Sequence, residues 1–369
     1  MPLAGNKSKS LVATSDSNEA LNDNTSSIAS RRSSCIVDAR ILAHQVDELQ
    51  LKGRSTMRLY TISFALVSLL FPVTVFSQTR TPDAAVNHFK DALKKSANGD
   101  FDSAIEDYTR AIRLSSHFDT SKTSDRFGNS FTDANSVTVV DPFTANAYSN
   151  RGLARFRKGD IIGAIEDYTQ ALEIRPGLAT AYLNRAAALR AKGDLDAAMK
   201  DLDKAISLKK DFFEAFTNRG SMRLDLKDTA GALSDLNRAL ELNTRVAEPY
   251  YQRGYVYMAL KNFDSAVADF NRALQLSPDM AWAYHGRGTT AMFQGKMLEA
   301  INDFNRAIEL NPTIALSYFN RGLAEVFLGN EAEADKDFAE SLRLKPELKA
   351  EMERRIDLAR HLRRIANSN

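Results

Sequence analysis

Residues 145–178 read ANAYSNRGLARFRKGDIIGAIEDYTQALEIRPGL, and residues 281–314 read AWAYHGRGTTAMFQGKMLEAINDFNRAIELNPTI. Laid one on the other, the two stretches carry alanine, tyrosine, arginine, glycine and aspartate at the same offsets, and each has proline at its thirty-second place. Self-similarity at a fixed period of a few tens of residues marks a repeat architecture, so the period is read before any local structure. With Gly152 set as internal position 8, the slot recurs every 34 residues at Ala186, Gly220, Gly254, Gly288 and Gly322. Position 20 is Ala104, Ala164, Ala198, Ala232, Ala266, Ala300 and Ala334. Position 24 is large: Tyr108, Tyr168, Leu202, Leu236, Phe270, Phe304 and Phe338. The units run 85–118, 145–178, 179–212, 213–246, 247–280, 281–314 and 315–348, with an insertion at 119–144 after the first.

Each recurring residue has a physical cause. Two amphipathic helices flank position 15, which is Gly99, Gly159, Gly193, Gly295 or Gly329 in five units. Glycine there takes the left-handed conformation that ends the first helix, and an Asp or Asn following it makes the turn. A glycine at position 8, inside the first helix, costs about 1 kcal/mol relative to alanine. Close approach to the alanine at position 20 compensates for it, with the aromatic at position 4 and the large residue at 24 filling the space around that contact.

A small residue at 8, alanine at 20 and 27 and proline at 32, over seven copies, resembles the tetratricopeptide-repeat family across essentially all of 85–348. The resemblance implies an all-α fold: an α-solenoid, a right-handed superhelix of seven helix pairs with a concave groove lined by the first helices. Residues 349–369 are expected to add a capping helix, because an open-ended stack needs its last apolar face covered.

The chain departs from that family at position 7, where it has Arg151, Arg185, Arg219, Arg253, Arg287 and Arg321, but Asp91 in the first unit. Position 23 is aspartate throughout: Asp107, Asp167, Asp201, Asp235, Asp269, Asp303 and Asp337. Pairing within a unit would set Asp107 against Asp91, a like charge. Pairing each aspartate with the arginine of the next unit matches every one, ending with Asp337 on Arg355. The expectation is therefore an inter-repeat ladder, against the plainer reading of two solvent-facing charge columns worth at most about 1 kcal/mol per pair.

A partner peptide is expected in the groove. Position 6 holds Asn150, Asn184, Asn218 and Asn320, with Gln252 in the fifth unit and Gly286 in the sixth. In several members of the family an asparagine at this place lies inside the groove, and its amide both donates to and accepts from a peptide backbone. The resemblance implies such a ladder here; hydrogen bonds to neighbouring helix ends or to water are the equal alternative. Tyr251, Tyr255, Trp282, His285 and Phe319, on the later first helices, are expected to form an exposed aromatic anchor site, whereas Met258, Met292 and Phe293 are expected to pack between helices. The insertion, rich in Ser, Thr, Asp and Asn, reads as a disordered loop, with a flap over the groove through Val137–Val140 as the second choice.

Upstream of the repeats, residues 1–56 begin polar and without periodicity and read as a disordered extension, or as residues ahead of a true start at Met57. Arg58, the apolar run Leu59–Phe76, and the small residues Val75 and Ser77 before Gln78 together have the pattern of a secretory signal peptide over 57–77. Left uncleaved, the same run is a membrane anchor, since eighteen helical residues span about 27 Å. Either way the repeats are expected outside the cytoplasmic membrane, periplasmic or secreted, and the chain touches a membrane only through that run.

The rest of the composition argues against chemistry. Formal net charge is +2, with basic and acidic residues interleaved, so nothing advertises nucleic acid as a partner. Cys35 is the only cysteine, and the five histidines lack metal-ligand spacing, so no metal and no cofactor is expected. No phosphate loop or nucleophile elbow is found. The expectation is a non-enzymatic protein-binding scaffold; a structural component of an envelope complex, assembled through stacking surfaces with the groove incidental, is the alternative.

Overall fold

The computed structural model describes residues 81–116 and 142–366. Among the described residues there are fifteen α-helices, one short 3-10 turn and no strand. They divide into two compact units that part between Arg175 and Pro176. The first holds two antiparallel helix pairs: α1 (Asp83–Ala97) with α2 (Phe101–Ser116), and α3 (Pro142–Lys158) with α4 (Ile161–Ile174). The second holds five pairs: α5 (Ala179–Lys192) with α6 (Leu195–Leu208), α7 (Phe213–Asp225) with α8 (Thr229–Leu242), α9 (Ala247–Ala259) with α10 (Phe263–Leu276), α11 (Ala281–Phe293) with α12 (Met297–Leu310), and α13 (Ala315–Leu328) with α14 (Glu331–Leu344). A 3-10 turn (Pro346–Leu348) then leads into a last helix, α15 (Lys349–Ala366). The α-solenoid of helix pairs with a C-terminal helix is thus the observed fold class.

The turn between the helices of a pair obeys the glycine expectation and extends it. Gly99, Gly159, Gly193, Gly295 and Gly329 all have positive φ, between 77° and 96°. In the two units without glycine, Lys227 (φ 65°) and Lys261 (φ 58°) adopt the same left-handed conformation. The helix pair therefore dictates the conformation, and lysine accepts a strain that glycine would not feel. The residue that follows starts the second helix: Asp160, Asp194, Asp228 and Asn262 each accept a hydrogen bond from the backbone N–H three residues on. This satisfies one of the donors that a helix N-terminus leaves unpaired.

Close approach explains the small residue at position 8. A Cβ on Gly254 would lie 2.8 Å from the ring of Phe270, and one on Gly322 would lie 2.6 Å from Phe338 and 3.2 Å from the carbonyl oxygen of Ala334. The large residue at position 24 thus presses directly on the glycine, while position 20 contributes its backbone. Tyr168, Phe270 and Phe304 are completely buried as a result.

Three residues that the sequence reading placed in the insertion are helical. Pro142, Phe143 and Thr144 belong to α3, because proline suits the first helical turn and Phe143 lands on α1, its ring 5.2 Å from that of Phe89. The remainder of the insertion, the extension 1–56 and the segment 57–77 lie outside the described residues. At the other end, α15 runs closest to α13. Its Met352, Ile356 and Ala359 share one apolar cluster with Phe319, Leu323, Val326 and Phe338.

Candidate functional site

The arginine column pairs within each repeat, not between repeats. Arg151 grips Asp167 sixteen residues on, with Nε and Nη2 at 2.9 and 2.7 Å from the two carboxylate oxygens. The same two-pronged contact joins Arg185 to Asp201, Arg219 to Asp235, Arg253 to Asp269, Arg287 to Asp303 and Arg321 to Asp337, at 2.6–2.8 Å. Antiparallel geometry is the cause: positions 7 and 23 stand equally far from the turn at 15, so the two helices bring them face to face. The hydrogen bonds that Arg219 donates to Asp235, together with the charge of that carboxylate, hold the guanidinium pKa above its ordinary value against the opposing effect of burial.

The first repeat tolerates Asp91 at position 7 because it brings other partners to Asp107. Asp107 is met by Lys95 at 2.6 Å and by His88 Nδ1 at 3.3 Å, so Asp91 does not face it alone. Arg355 binds Glu351 one turn back on α15, since that helix leans on α13 and does not occupy the place of an eighth first helix. An inter-repeat link does exist, one prong further along. The free Nη1 of Arg219, Arg253, Arg287 and Arg321 donates to position 25 of the preceding repeat, at Asp203, Asn237, Asn271 and Asn305, within 2.6–2.7 Å. In the first unit Arg151 reaches Thr109 at 3.0 Å in the same way. Each guanidinium also lies against the position-4 ring of its own helix, 5.2–5.7 Å from the ring centroid.

The position-6 amides lie on the first helices of the pairs. Asn184, on α5, and Asn218, on α7, are buried, as is Asn320 on α13. Asn184 Nδ2, Asn218 Oδ1 and Asn320 Oδ1 are enclosed and have no hydrogen-bond partner among the described residues. The series is uneven beyond that. Gln252 donates to Glu248 of its own helix at 2.7 Å, and Asn320 donates to Thr289 at 3.2 Å. At Gly286 a Cβ would come within 2.6 Å of both Phe270 and the Tyr255 hydroxyl, so no amide fits there. Asn150, in the first unit, is only half-buried on α3.

The aromatic residues correct the expectation of an exposed anchor site. Tyr251, Tyr255, His285 and Phe319 are all buried, from 4% exposed down to none. Tyr251 and Tyr255 meet edge to face at 5.2 Å, and Tyr255 packs on Phe270 at 5.1 Å. Phe319 packs against Phe338 at 5.8 Å. His285 lies 5.6 Å from Phe304, with Nδ1 2.9 Å from the Ser317 hydroxyl. Only Trp282 keeps partial exposure, with its ring edge on to His285. The period placed these residues on the first helices but could not say how far neighbouring side chains enclose them. Met258, Met292 and Phe293 are buried, Phe293 stacking on Phe263 at 5.1 Å. Among the described residues no cluster of His, Cys, Asp or Glu has the geometry of a metal site.

Family models described as tetratricopeptide repeat match residues 143–211, 247–280, 283–314 and 315–348. A solved tetratricopeptide repeat protein from Parabacteroides merdae ATCC 43184 is 20% identical, covering 75% of this chain and 99% of its own at a TM-score of 0.56. The pilF protein of Pseudomonas aeruginosa is 19% identical, with 56% and 97% covered and a TM-score of 0.49. YrrB, described as having an unusual peptide-binding site, is 23% identical, with 49% and 94% covered and a TM-score of 0.39. No curated protein matches the chain. At these identities the likeness concerns the fold.

Proposed function

Because this chain belongs to the tetratricopeptide-repeat family, we propose that it is a non-catalytic scaffold whose first-helix face takes up an extended segment of a partner protein. The observation that carries the reading is the pair of buried amides on successive first helices, Asn184 and Asn218, each with one polar atom unpartnered among the described residues. One repeat offers a free donor and the next a free acceptor, which is the complement of a peptide group. A buried polar atom left unpaired costs about 1–3 kcal/mol, so a ligand that satisfies it recovers that cost. Both atoms are enclosed, so the reading requires neighbouring side chains to rotate and admit the backbone. Binding of this kind selects for extended conformation more than for side-chain identity.

The alternative of assembly through stacking surfaces has less support. Away from the cleft toward α14, α15 presents the exposed charged and polar side chains of Glu353, Arg354 and His361. For the peptide reading, ligands are selected from a displayed random-peptide library and titrated calorimetrically. Replacing Asn184 and Asn218 together by alanine is expected to weaken binding at least tenfold with the thermal midpoint nearly unchanged; unaltered affinity overturns the reading.

The scaffold is further proposed to work outside the cytoplasmic membrane, on the strength of Arg58, the run Leu59–Phe76 and the small residues before Gln78. Mass spectrometry of the mature N-terminus tests this. A chain beginning at Gln78, or an intact chain in the membrane fraction with its repeats outside, agrees with it. An intact chain in the cytosol does not.

A further inference from the structure

The last repeat breaks the pattern of the others at two places. Position 17 is Phe101, Ile161, Leu195, Thr229, Phe263 and Met297 in the first six repeats, and Glu331 in the seventh. Position 21 is Ile105, Ile165, Met199, Leu233, Val267 and Ile301, and then Asp335. Both new acids lie on α14, and both are engaged by α15. Arg360 Nε donates to Glu331 at 2.9 Å and its Nη2 to Asp335 at 2.5 Å, while Arg363 Nη1 donates to Glu331 at 3.0 Å. Arg363 also crosses above Gly329, where any Cβ would collide with its guanidinium. Glu331, Arg360 and Arg363, with Asp357 and Arg364, line a cleft of about 480 Å³ between the two helices.

From this substitution of charge for apolar surface, we propose that α15 is a latched lid that opens as a unit without unfolding the repeats beneath it. Elsewhere in the second unit the ridge of a second helix carries mainly apolar residues at these two positions, and apolar contact is not weakened by charge screening. At the lid three partly exposed ion pairs replace it, and pairs of that exposure are weak and screened by salt. The apolar hold on the lid comes from Met352, Ile356 and Ala359, with Leu358 and Leu362 beside them, against α13 and against Phe338 of α14. Opening therefore uncovers Phe319, Leu323 and Val326 while leaving the paired helices α13 and α14 intact. The proposal is independent of the peptide-binding reading.

Native-state hydrogen exchange at a series of ionic strengths tests it on the full chain. The amides of α15 are expected to exchange roughly tenfold faster at 1 M than at 20 mM salt, with those of α9–α12 unchanged. In Glu331→Gln/Asp335→Asn, α15 is expected to exchange fast at both salts. Reversing the pair, with Glu331→Arg and Arg363→Glu combined, restores salt-dependent protection. Exchange of α15 that ignores salt and these substitutions, or that occurs only together with the rest of the unit, overturns the proposal.

Discussion

At the scale of the residue, Lys227 and Lys261 show how strongly the helix pair imposes itself on its turn. Both sit at position 15 with φ near 60°, where five other repeats have glycine. A left-handed residue with a Cβ costs roughly 1–2 kcal/mol, and glycine gives back part of that through its freer unfolded chain. Lys227→Gly and Lys261→Gly are each expected to stabilise the protein by roughly 0.5–1 kcal/mol, seen as a higher urea midpoint. A lower midpoint would show that the lysine side chains make contacts worth more than the strain. Glycine and alanine were the legible residues of this fold, because their absence of side chain answers a steric demand set by the partner helix, as at Gly254 beneath Phe270. The groove residues were less legible. A tyrosine at position 5 or 9 reads the same whether it faces solvent or lies against Phe270, and only the packing of neighbouring pairs decides it.

At the scale of the element, the charge pairs follow the arithmetic of an antiparallel hairpin: positions whose distances from the turn are equal meet. The sequence contained that rule, and the like charge of Asp91 and Asp107 obscured it. Lys95, one turn beyond Asp91, and His88, one turn before it, supply what the missing arginine does elsewhere. Burial opposes the charge on Asp107, but the hydrogen bond and charge of Lys95, aided by His88, win and hold its carboxyl below the ordinary value of 3.8. The folded chain thus binds that proton less readily than the unfolded chain. The contribution of Asp107 is complete above the ordinary carboxylate range and is lost as pH falls through the lower, folded-state value. Asp107→Asn is expected to reduce stability at pH 7 and to flatten the decline of stability below about pH 4. Equal acid sensitivity in the variant and the parent would remove Asp107 from this role.

At the scale of the whole molecule, helix pairs of one design repeat through both units, and their variation carries the functional reading. At Arg151, Arg219, Arg253, Arg287 and Arg321 the arginine that clamps its own aspartate also touches the repeat before it, so one side chain links the two repeats. Against that regular frame, the position-6 series changes: an enclosed atom without a partner among the described residues at Asn184, Asn218 and Asn320, an amide tied to its own helix at Gln252, none at Gly286. The period alone reveals which residues share this face; which of their atoms find a partner depends on neighbours, such as Glu248 for Gln252 and Thr289 for the Asn320 NH2, that the period does not mark. Under the proposed function, partner backbone is read at Asn184 and Asn218. Nuclear magnetic resonance of the side-chain amide groups of Asn184 and Asn218, assigned by comparison with the single alanine variants, tests it most directly during titration with a selected peptide. Both NH2 signals are expected to shift in step with binding, while that of Gln252 stays in place. A peptide that binds with both signals unmoved would contradict it.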